Sequence, residues 1–142
     1  MIVLDTNVVS ELFRREPDTR VVAWLESLDG DVAITAITLA ELLTGVRRLP
    51  EGRRKADLEA AVVAAVEPYR GGHAVLPFDD ECAAPYAEIL SGRERAGLPI
   101  ATADAQIAAI CRAHGAMCAT RNTKDFVETG IDLIDPWSSA LS

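Results

Sequence analysis

Ile2-Val3-Leu4-Asp5-Thr6-Asn7 opens the chain and is the stretch from which its fold can be inferred. Its apolar residues, two of them β-branched, predict a short buried strand. Asp5 comes where this strand should end, and the two small polar residues after it can begin a helix. Because ligands of open α/β sheets bind beyond the carboxyl ends of the strands, an acid here can belong to a site. An Asp that only caps the next helix gives the same pattern, so Asp5 alone does not distinguish the two interpretations.

The composition is that of an ordinary globular domain. The chain has 142 residues, of which 49% are hydrophobic and 25% charged, and this length predicts one domain, residues 1–142, with a buried core. No apolar run reaches the roughly 20 residues that cross a bilayer, and Asp5 interrupts the apolar start that a signal peptide would need. We therefore expect a cytoplasmic protein with no membrane partner.

Strand and helix patterns alternate along the chain. Short strands are predicted at 2–4, 32–35, 74–76 and 116–120, with a last edge strand at 131–134. The helices are predicted at 8–13, 17–28, 38–48, 80–95 and 102–113, with a long one that begins after Gly52 and ends before Pro68. Such alternation implies an α/β fold: a mainly parallel central sheet of four to five short strands, flanked by helices on both faces.

Cysteines and histidines form no zinc-binding or redox motif in this sequence. Cys82, Cys111 and Cys118 contain no CxxC pair, and we expect them to be reduced core residues. His73 and His114 lack the spacing of zinc ligands. His114 is instead expected to cap the end of a helix, where an imidazole can favour the helix dipole.

The formal net charge of −8 argues against broad neutralisation of nucleic-acid phosphates. Two interpretations of this acidity are open. The acids form a solvated surface, or some of them are concentrated to bind cations that supply the missing positive charge.

Four acids lie inside or at the ends of apolar elements, all at the same end of the predicted sheet. Besides Asp5 they are Glu41 after the second strand, Asp104 in the first turn of a helix, and Asp125 after the last core strand. Each also has a purely structural interpretation. Thr38 and Glu41 fit a capping box, Asp104 would complement a helix dipole, and Asp125 could form an Asx-turn.

Clustered carboxylates favour a bound metal ion. Carboxylates within a few ångströms of one another repel, and some take up protons unless a cation compensates. Mg²⁺ prefers oxygen ligands, typically one or two carboxylates, and keeps several waters. One or two such ions can activate water and stabilise the leaving oxygen at phosphorus. Because no His or Cys constellation offers a nucleophile, the acids indicate a metal-dependent phosphodiesterase.

In five stretches the chain resembles the PIN-domain family, and most closely the VapC-type toxins of bacterial toxin–antitoxin pairs. The stretches are residues 2–7, 38–42, 97–104, 119–126 and 134–137. The resemblance implies an endoribonuclease that depends on Mg²⁺ or Mn²⁺, acts on RNA and is neutralised by a cognate VapB-type antitoxin. It also implies a symmetric homodimer and a higher assembly with the antitoxin.

The resemblance also implies roles for the acids, all four of which are candidates for both catalysis and metal binding. Asp5 and Asp104 match the principal metal ligands, and Glu41 matches a third acid that binds metal directly or through water. Asp125 matches a more variable fourth acid, which often supports a second metal or orients water. The supporting polar candidates are Thr6, Asn7, Thr120 and Asn122.

Two further groups of side chains are candidates for contacts with RNA or antitoxin. The basic group could guide RNA at the rim of the site, contact the antitoxin or form a solvated surface; it consists of Arg14, Arg15, Arg47, Arg48, Arg53, Arg54 and Lys55. The apolar group is expected to be mostly core, with a minority lining a groove for an antitoxin helix; it consists of Leu12, Phe13, Trp24, Leu25, Leu42, Leu43 and Val46.

Other functional classes use acids at strand ends as well. A phosphoacceptor receiver-like regulatory domain needs an acidic pair after the first strand, but here that acid is single, and Asp79 and Asp80 follow a later strand. A haloacid-dehalogenase-type phosphatase needs a second Asp two residues after the first, where this chain has Asn7. A catalytically silent PIN-fold binding module is the other alternative, against which the four intact acids argue.

Overall fold

One central sheet organises the molecule. The computed structural model describes residues 1–72, 74–138 and 140–141. The strands found there are β1 (Ile2–Leu4), β2 (Val32–Thr35), β3 (Val75–Leu76), β4 (Met117–Ala119), β5 (Leu133–Asp135) and β6 (Ala140–Leu141). Their order is β3-β2-β1-β4-β5-β6, in which the first five are parallel and β6 pairs antiparallel with β5. The predicted α/β class and mainly parallel sheet are confirmed.

Helices cover both faces of the sheet, as predicted. They are α1 (Thr6–Glu11), α2 (Thr19–Ser27), α3 (Ala36–Arg47), α4 (Arg53–Gly71), α5 (Ala83–Arg95) and α6 (Thr102–Ala113). Val3 of β1 packs in the core beneath α5 and α6, whereas the next residue, Leu4, packs in the core beneath α1 to α4. Successive side chains of a strand point to opposite faces. The strands are apolar throughout because both faces are buried.

Several helix ends differ from the sequence-based expectation. Helix α4 does not end before Pro68 but continues to Gly71. Proline lacks the N–H that would bond to the carbonyl four residues earlier, but that residue, Ala64, is exposed, so water can satisfy its carbonyl. Helix α1 begins at Thr6, two residues earlier than expected, because the Asp5 side chain caps it.

The last strand was expected to form the edge of the sheet, and this expectation was wrong. Strand β5 is covered by the two-residue β6, whose Leu141 pairs with Ile134. A two-residue strand has no alternation that a sequence pattern could reveal.

The structure tests the expectations for the cysteines and for the histidine that lies in the described part of the chain. Cys82, Cys111 and Cys118 are buried and free, as expected for core thiols. His114 occupies the C-cap position of α6, as expected, and its backbone N–H bonds the last turn, whereas His73 lies outside the described residues. Among the helices that the structure describes, none is long and apolar enough to cross a membrane.

Candidate metal centre

Asp5 lies at the point where the strand order reverses. Strand β1 is flanked by β2 on one side and by β4 on the other, and ligands of open α/β sheets bind at such a switch point. The Asp5 side chain is 5% exposed. Its Oδ1 accepts from the backbone N–H of Thr6 at 2.8 Å, and its Oδ2 accepts from the Thr120 hydroxyl at 2.8 Å. Asp5 therefore caps α1 and is also held in one orientation by Thr120, the residue that follows β4.

Glu41 is brought beside Asp5 by α1 and α3. The N-cap of α3 is Thr35, whose hydroxyl accepts from the N–H of Thr38 at 3.0 Å, so the interpretation of Thr38 and Glu41 as a capping box was wrong. The Glu41 carboxylate instead accepts from the Thr6 hydroxyl at 2.7 Å, and that hydroxyl lies 3.0 Å from the hydroxyl of Thr38. The Thr6 hydroxyl thus connects Glu41 directly to the residue next to Asp5.

Asp104 lies in the first turn of α6, as predicted, and close enough to the other acids for their charges to raise its pKa. Burial raises the pKa of Asp104 to about 6, and neighbouring carboxylates add to the rise, in the order Asp5, Asp125 and Glu41. The Arg93 guanidinium acts in the opposite direction. The structure therefore brings all four predicted acids into one electrostatic environment.

Asp5 belongs to the same environment. Burial raises the pKa of Asp5, while the hydrogen bonds from Thr120 and Thr6 lower it, and the charges of Glu41 and Asp125 raise it further. Like charges that are held together in this way favour proton uptake or a bound cation.

Asp125 lies in a 3-10 turn, Thr123–Phe126, that follows β4. The structure describes no hydrogen bond of the Asp125 carboxylate within residues 1–72, 74–138 and 140–141, so an Asx-turn is not formed there. The backbone N–H of Asp125 donates to the carbonyl of Asn122 at 2.9 Å. The turn thus holds the backbone of Asp125 and leaves its carboxylate available.

The supporting residues meet at the buried hydroxyl of Thr120. Besides donating to Asp5, this oxygen accepts from the Asn122 backbone N–H at 3.1 Å and from the Asn7 amide at 3.3 Å. The Asn7 carbonyl oxygen accepts in turn from the N–H of Arg121 at 3.3 Å. Asn7 and Thr120 therefore connect α1 to the segment that carries Asp125, and Asn122 contributes through its backbone.

The donor set suits a hard divalent cation. Carboxylate and hydroxyl oxygens are the ligands that Mg²⁺ and Mn²⁺ prefer, and burial together with three neighbouring carboxylates raises the pKa of Asp104. In the part of the chain that the structure describes, no three His, Cys, Asp or Glu side chains are arranged to enclose a metal by themselves. This geometry fits one or two direct carboxylate ligands completed by waters, rather than a cage of four acids.

A cleft of about 690 Å³ adjoins the acids. Thr6 and Glu41 line its inner end, and a floor of apolar side chains includes Phe13, Leu42 and Val46. Of the seven basic candidates, three line this cleft: Arg14, Arg15 and Arg54. The lining of the cleft therefore combines apolar side chains and three arginines with the carboxylates of Glu16 and Glu41.

The remaining basic and apolar candidates have other surroundings. The Lys55 ammonium is engaged by the Glu51 carboxylate at 2.7 Å, and Arg53 lines a neighbouring cleft with Leu12. Leu42 and Val46 are buried, as expected for core residues, whereas Leu12 and Leu43 are exposed.

Two arginines near the centre were missed at the sequence level. Arg121 follows Thr120, and its guanidinium lies 5.0 Å from the centroid of the Trp137 ring, a cation–π contact that fixes its direction. Arg93 is buried in α5. Its position at the charged end of a helix gave no signal that distinguished it from Arg95, which is exposed.

Comparison with known proteins finds relatives that match nearly the whole chain. The model of the PIN domain matches residues 2–131. The VapC ribonuclease Y4jK of Sinorhizobium fredii strain NBRC 101917 / NGR234 is 42% identical over 141 residues, 99% of this chain and 100% of that protein. Toxin FitB of Neisseria gonorrhoeae is 44% identical over 138 residues, 96% of this chain and 99% of that protein.

Solved structures share the fold. A chain in the structure of FitAB bound to the IR36 DNA fragment matches with a TM-score of 0.90 and 43% identity, covering 96% of both chains. A chain in the structure of VapBC2 from Rickettsia felis, bound to a DNA fragment from their promoter, matches with a TM-score of 0.75 and 28% identity. That match covers 95% of this chain and 100% of the other.

Proposed function

Because the chain belongs to the PIN-domain family, we propose that it is a metal-dependent endoribonuclease and the toxin of a type II toxin–antitoxin pair. The observation that carries this proposal is the set of four acids in one electrostatic environment at the strand-order switch. The names of the relatives, VapC ribonuclease and toxin FitB, support the substrate class and the role. We propose that residues 1–142 form this one domain and that it acts on RNA in the cytoplasm.

We propose that Asp5 and Asp104 hold a Mg²⁺ or Mn²⁺ ion directly. Asp5 is oriented for this by its bonds to Thr120 and Thr6. Glu41, whose carboxylate is engaged by the Thr6 hydroxyl, would act through a water, and Asp125 would orient water or support a second ion. When bound, such an ion supplies positive charge beside the phosphodiester and makes a water molecule more acidic.

The chain's own residues place the substrate and limit the motion of the acids. Thr120 and Asn7 hold Asp5 against the segment of Asp125, so that the carboxylates need no reorganisation during the reaction. Arg14, Arg15 and Arg54 line the cleft, where they can bind the phosphates of an RNA strand that leads into the centre. Arg121, held over Trp137, offers a fourth positive charge next to Thr120.

The same cleft supports an antitoxin as the partner. Its floor is apolar and its rim carries arginines, features that suit an amphipathic helix with acidic residues. An antitoxin helix in this cleft would lie next to Glu41 and exclude RNA. The two similar solved structures carry names that join two proteins, FitAB and VapBC2. This supports a VapB-type partner for this chain.

RNA cleavage by variants of the two proposed direct ligands tests the function. We expect Asp5→Asn and Asp104→Asn to reduce Mg²⁺-dependent cleavage by about 10²–10³-fold, the loss typical of removing a key electrostatic group. EDTA should have the same effect on the unchanged protein. Asp132→Asn, which removes an exposed acid at the opposite end of β5, is the matched control and should cleave normally.

Circular dichroism should show that all three variants are folded. Equal cleavage by the unchanged protein and both variants, with metal or with EDTA, would exclude this mechanism. Complete absence of cleavage by the unchanged protein, with metal still bound, would favour the silent binding module instead.

A further inference from the structure

Arg93 is a buried arginine whose three guanidinium nitrogens all donate to main-chain carbonyls. It lies near the end of α5 and is 4% exposed. Its Nε donates to the carbonyl of Leu98 at 2.8 Å, its Nη1 to that of Val127 at 2.7 Å, and its Nη2 to that of Pro99 at 3.0 Å. All three acceptors are main-chain oxygens, so the Arg93 side chain holds the backbone of two chain segments and not other side chains.

The two segments that Arg93 joins are those that carry candidate metal ligands. Leu98 and Pro99 lie in the loop that leads into α6, whose first turn contains Asp104. Val127 comes directly after the 3-10 turn that contains Asp125. Leu98 and Pro99 lie 5 and 6 positions after Arg93 in sequence, whereas Val127 lies 34 positions after it. One side chain therefore connects the supports of both acids.

The charge of Arg93 has no carboxylate partner nearby. None of the ion pairs within 4.0 Å in the described part of the chain involves Arg93. A buried charge is costly unless it is paired and hydrogen-bonded. Beyond ion-pair distance, the Arg93 charge acts on Asp104, whose pKa it lowers.

The shape of the guanidinium explains why this residue is an arginine. Its five N–H groups lie in one plane and point in fixed directions, whereas a lysine ammonium is a compact donor on a flexible stem. Lysine would keep the charge, but it could not reach three carbonyls on two segments in the same geometry.

We propose that Arg93 is a positioning residue of the candidate metal centre: its guanidinium ties the loop before α6 to the segment after Asp125 and so fixes Asp104 relative to Asp125. The link to metal binding rests on the proposed function, whereas the tie between the two segments does not. Two measurements on Arg93→Lys and Arg93→Met separate these parts.

The first measurement is amide hydrogen exchange of the metal-free protein. We expect both substitutions to speed exchange in residues 98–101 and 127–129 together, while the amides of α2 keep their protection. Unchanged exchange in either segment of the Lys variant would overturn the proposal. In the unchanged protein, Mn²⁺ should slow exchange in both segments, and a failure to do so despite bound Mn²⁺ would also overturn it.

The second measurement is the affinity for Mn²⁺ by calorimetry, together with kcat and KM for an RNA substrate. We expect Arg93→Lys to weaken Mn²⁺ binding by about 10-fold or more, as for other groups that orient metal ligands, and to lower kcat with little change in KM. Arg93→Met should weaken Mn²⁺ binding and lower kcat further. If the unchanged protein binds no Mn²⁺, the proposed function fails, while the exchange experiment still tests the tie.

Ile89→Val is the matched control. Ile89 is in the same helix and is 1% exposed, and the loss of one buried methylene lowers stability but removes no hydrogen bond. It should lower the Tm and leave the Mn²⁺ affinity unchanged. A comparable loss of affinity in this control would show that general destabilisation causes the effect, and a normal affinity in Arg93→Lys would show that the tie does not position the acids. Either result would overturn the proposal.

Discussion

At the scale of single residues, the two acids proposed as direct metal ligands have different surroundings. Asp5 is almost fully buried and is held by two donors, Thr6 and Thr120. Asp104 is half-buried and faces three other carboxylates. Asp5 is therefore fixed before a cation arrives, whereas Asp104 is the acid whose charge state depends most on the solution.

The raised pKa of Asp104 leads to an expectation for stability against pH. Because the folded protein binds this proton more tightly than the unfolded chain, whose Asp has a pKa of about 3.9, deprotonation costs stability as the pH rises from about 4 through about 6. After discounting for its partial exposure, we expect a loss of about 1 kcal/mol, or about 2–4 °C in Tm, between about pH 5 and about pH 7.5. Thermal unfolding of the metal-free protein measures this.

Asp104→Asn should remove that part of the pH dependence, and Asp132→Asn should not. Saturating Mg²⁺ should restore the lost stability at about pH 7.5 more than at about pH 5, because the cation competes with the proton. An Asp104→Asn variant with the same pH dependence as the unchanged protein would contradict the assignment.

Residues with a recognisable pattern were predictable, and residues defined by tertiary contacts were not. The four acids were located from their places after strands and at helix starts, and the structure brings them together. Arg93 could not be recognised, because its role depends on carbonyls of Leu98, Pro99 and Val127 that come near it only in the folded chain.

At the scale of secondary-structure elements, the alternation of apolar patterns predicted the elements better than their ends. Helix α6 was predicted with its observed bounds, Thr102–Ala113, since its apolar pattern is continuous. The start of α3 was placed too late because Thr35 and Thr38 are both plausible caps, and the choice depends on which hydroxyl meets the backbone N–H. The end of α4 was predicted too early. The carbonyl of exposed Ala64 can accept from water in place of the N–H that Pro68 lacks.

Replacement of Pro68 tests that explanation. Pro68→Ala would restore the missing N–H in the last turn of α4 and remove a residue that costs about 3 kcal/mol in a helix interior. Since proline also restricts the unfolded chain, by about 0.4–1 kcal/mol, and lies near the helix end, we expect a net gain of about 1 kcal/mol, or about 2–4 °C in Tm. Urea and thermal unfolding measure it.

Glu67→Ala, at the preceding exposed position, is the control and should change the free energy of unfolding by less than about 0.5 kcal/mol. A Tm of Pro68→Ala at or below that of the unchanged protein would mean that the proline is favoured by contacts of this turn.

At the scale of the whole molecule, the described surface has features of a protein that works in an assembly. Exposed apolar side chains include Leu12, Leu43, Val63 and Val127, and the cleft beside Glu41 combines apolar and cationic groups. The homodimer and the higher assembly with an antitoxin remain predictions from the family resemblance.

Light scattering after size-exclusion chromatography tests the assembly. Alone, the chain should elute with about twice its mass of 15.2 kDa, as expected for a symmetric dimer. Co-expressed with a cognate VapB-type antitoxin, it should elute as a larger complex that no longer cleaves RNA. A monomer in both preparations would contradict both expectations.

The position of β1 between β2 and β4 also constrains when activity can arise during synthesis. Asp5 is made before its partner Thr120, which lies 115 positions later, and also before Asp104. Because Asp104 and Thr120 must both be made before they can meet Asp5, the centre cannot assemble on a nascent chain until Thr120 has emerged from the ribosome. Translation therefore provides an interval in which a partner can meet the toxin before it is able to cut RNA.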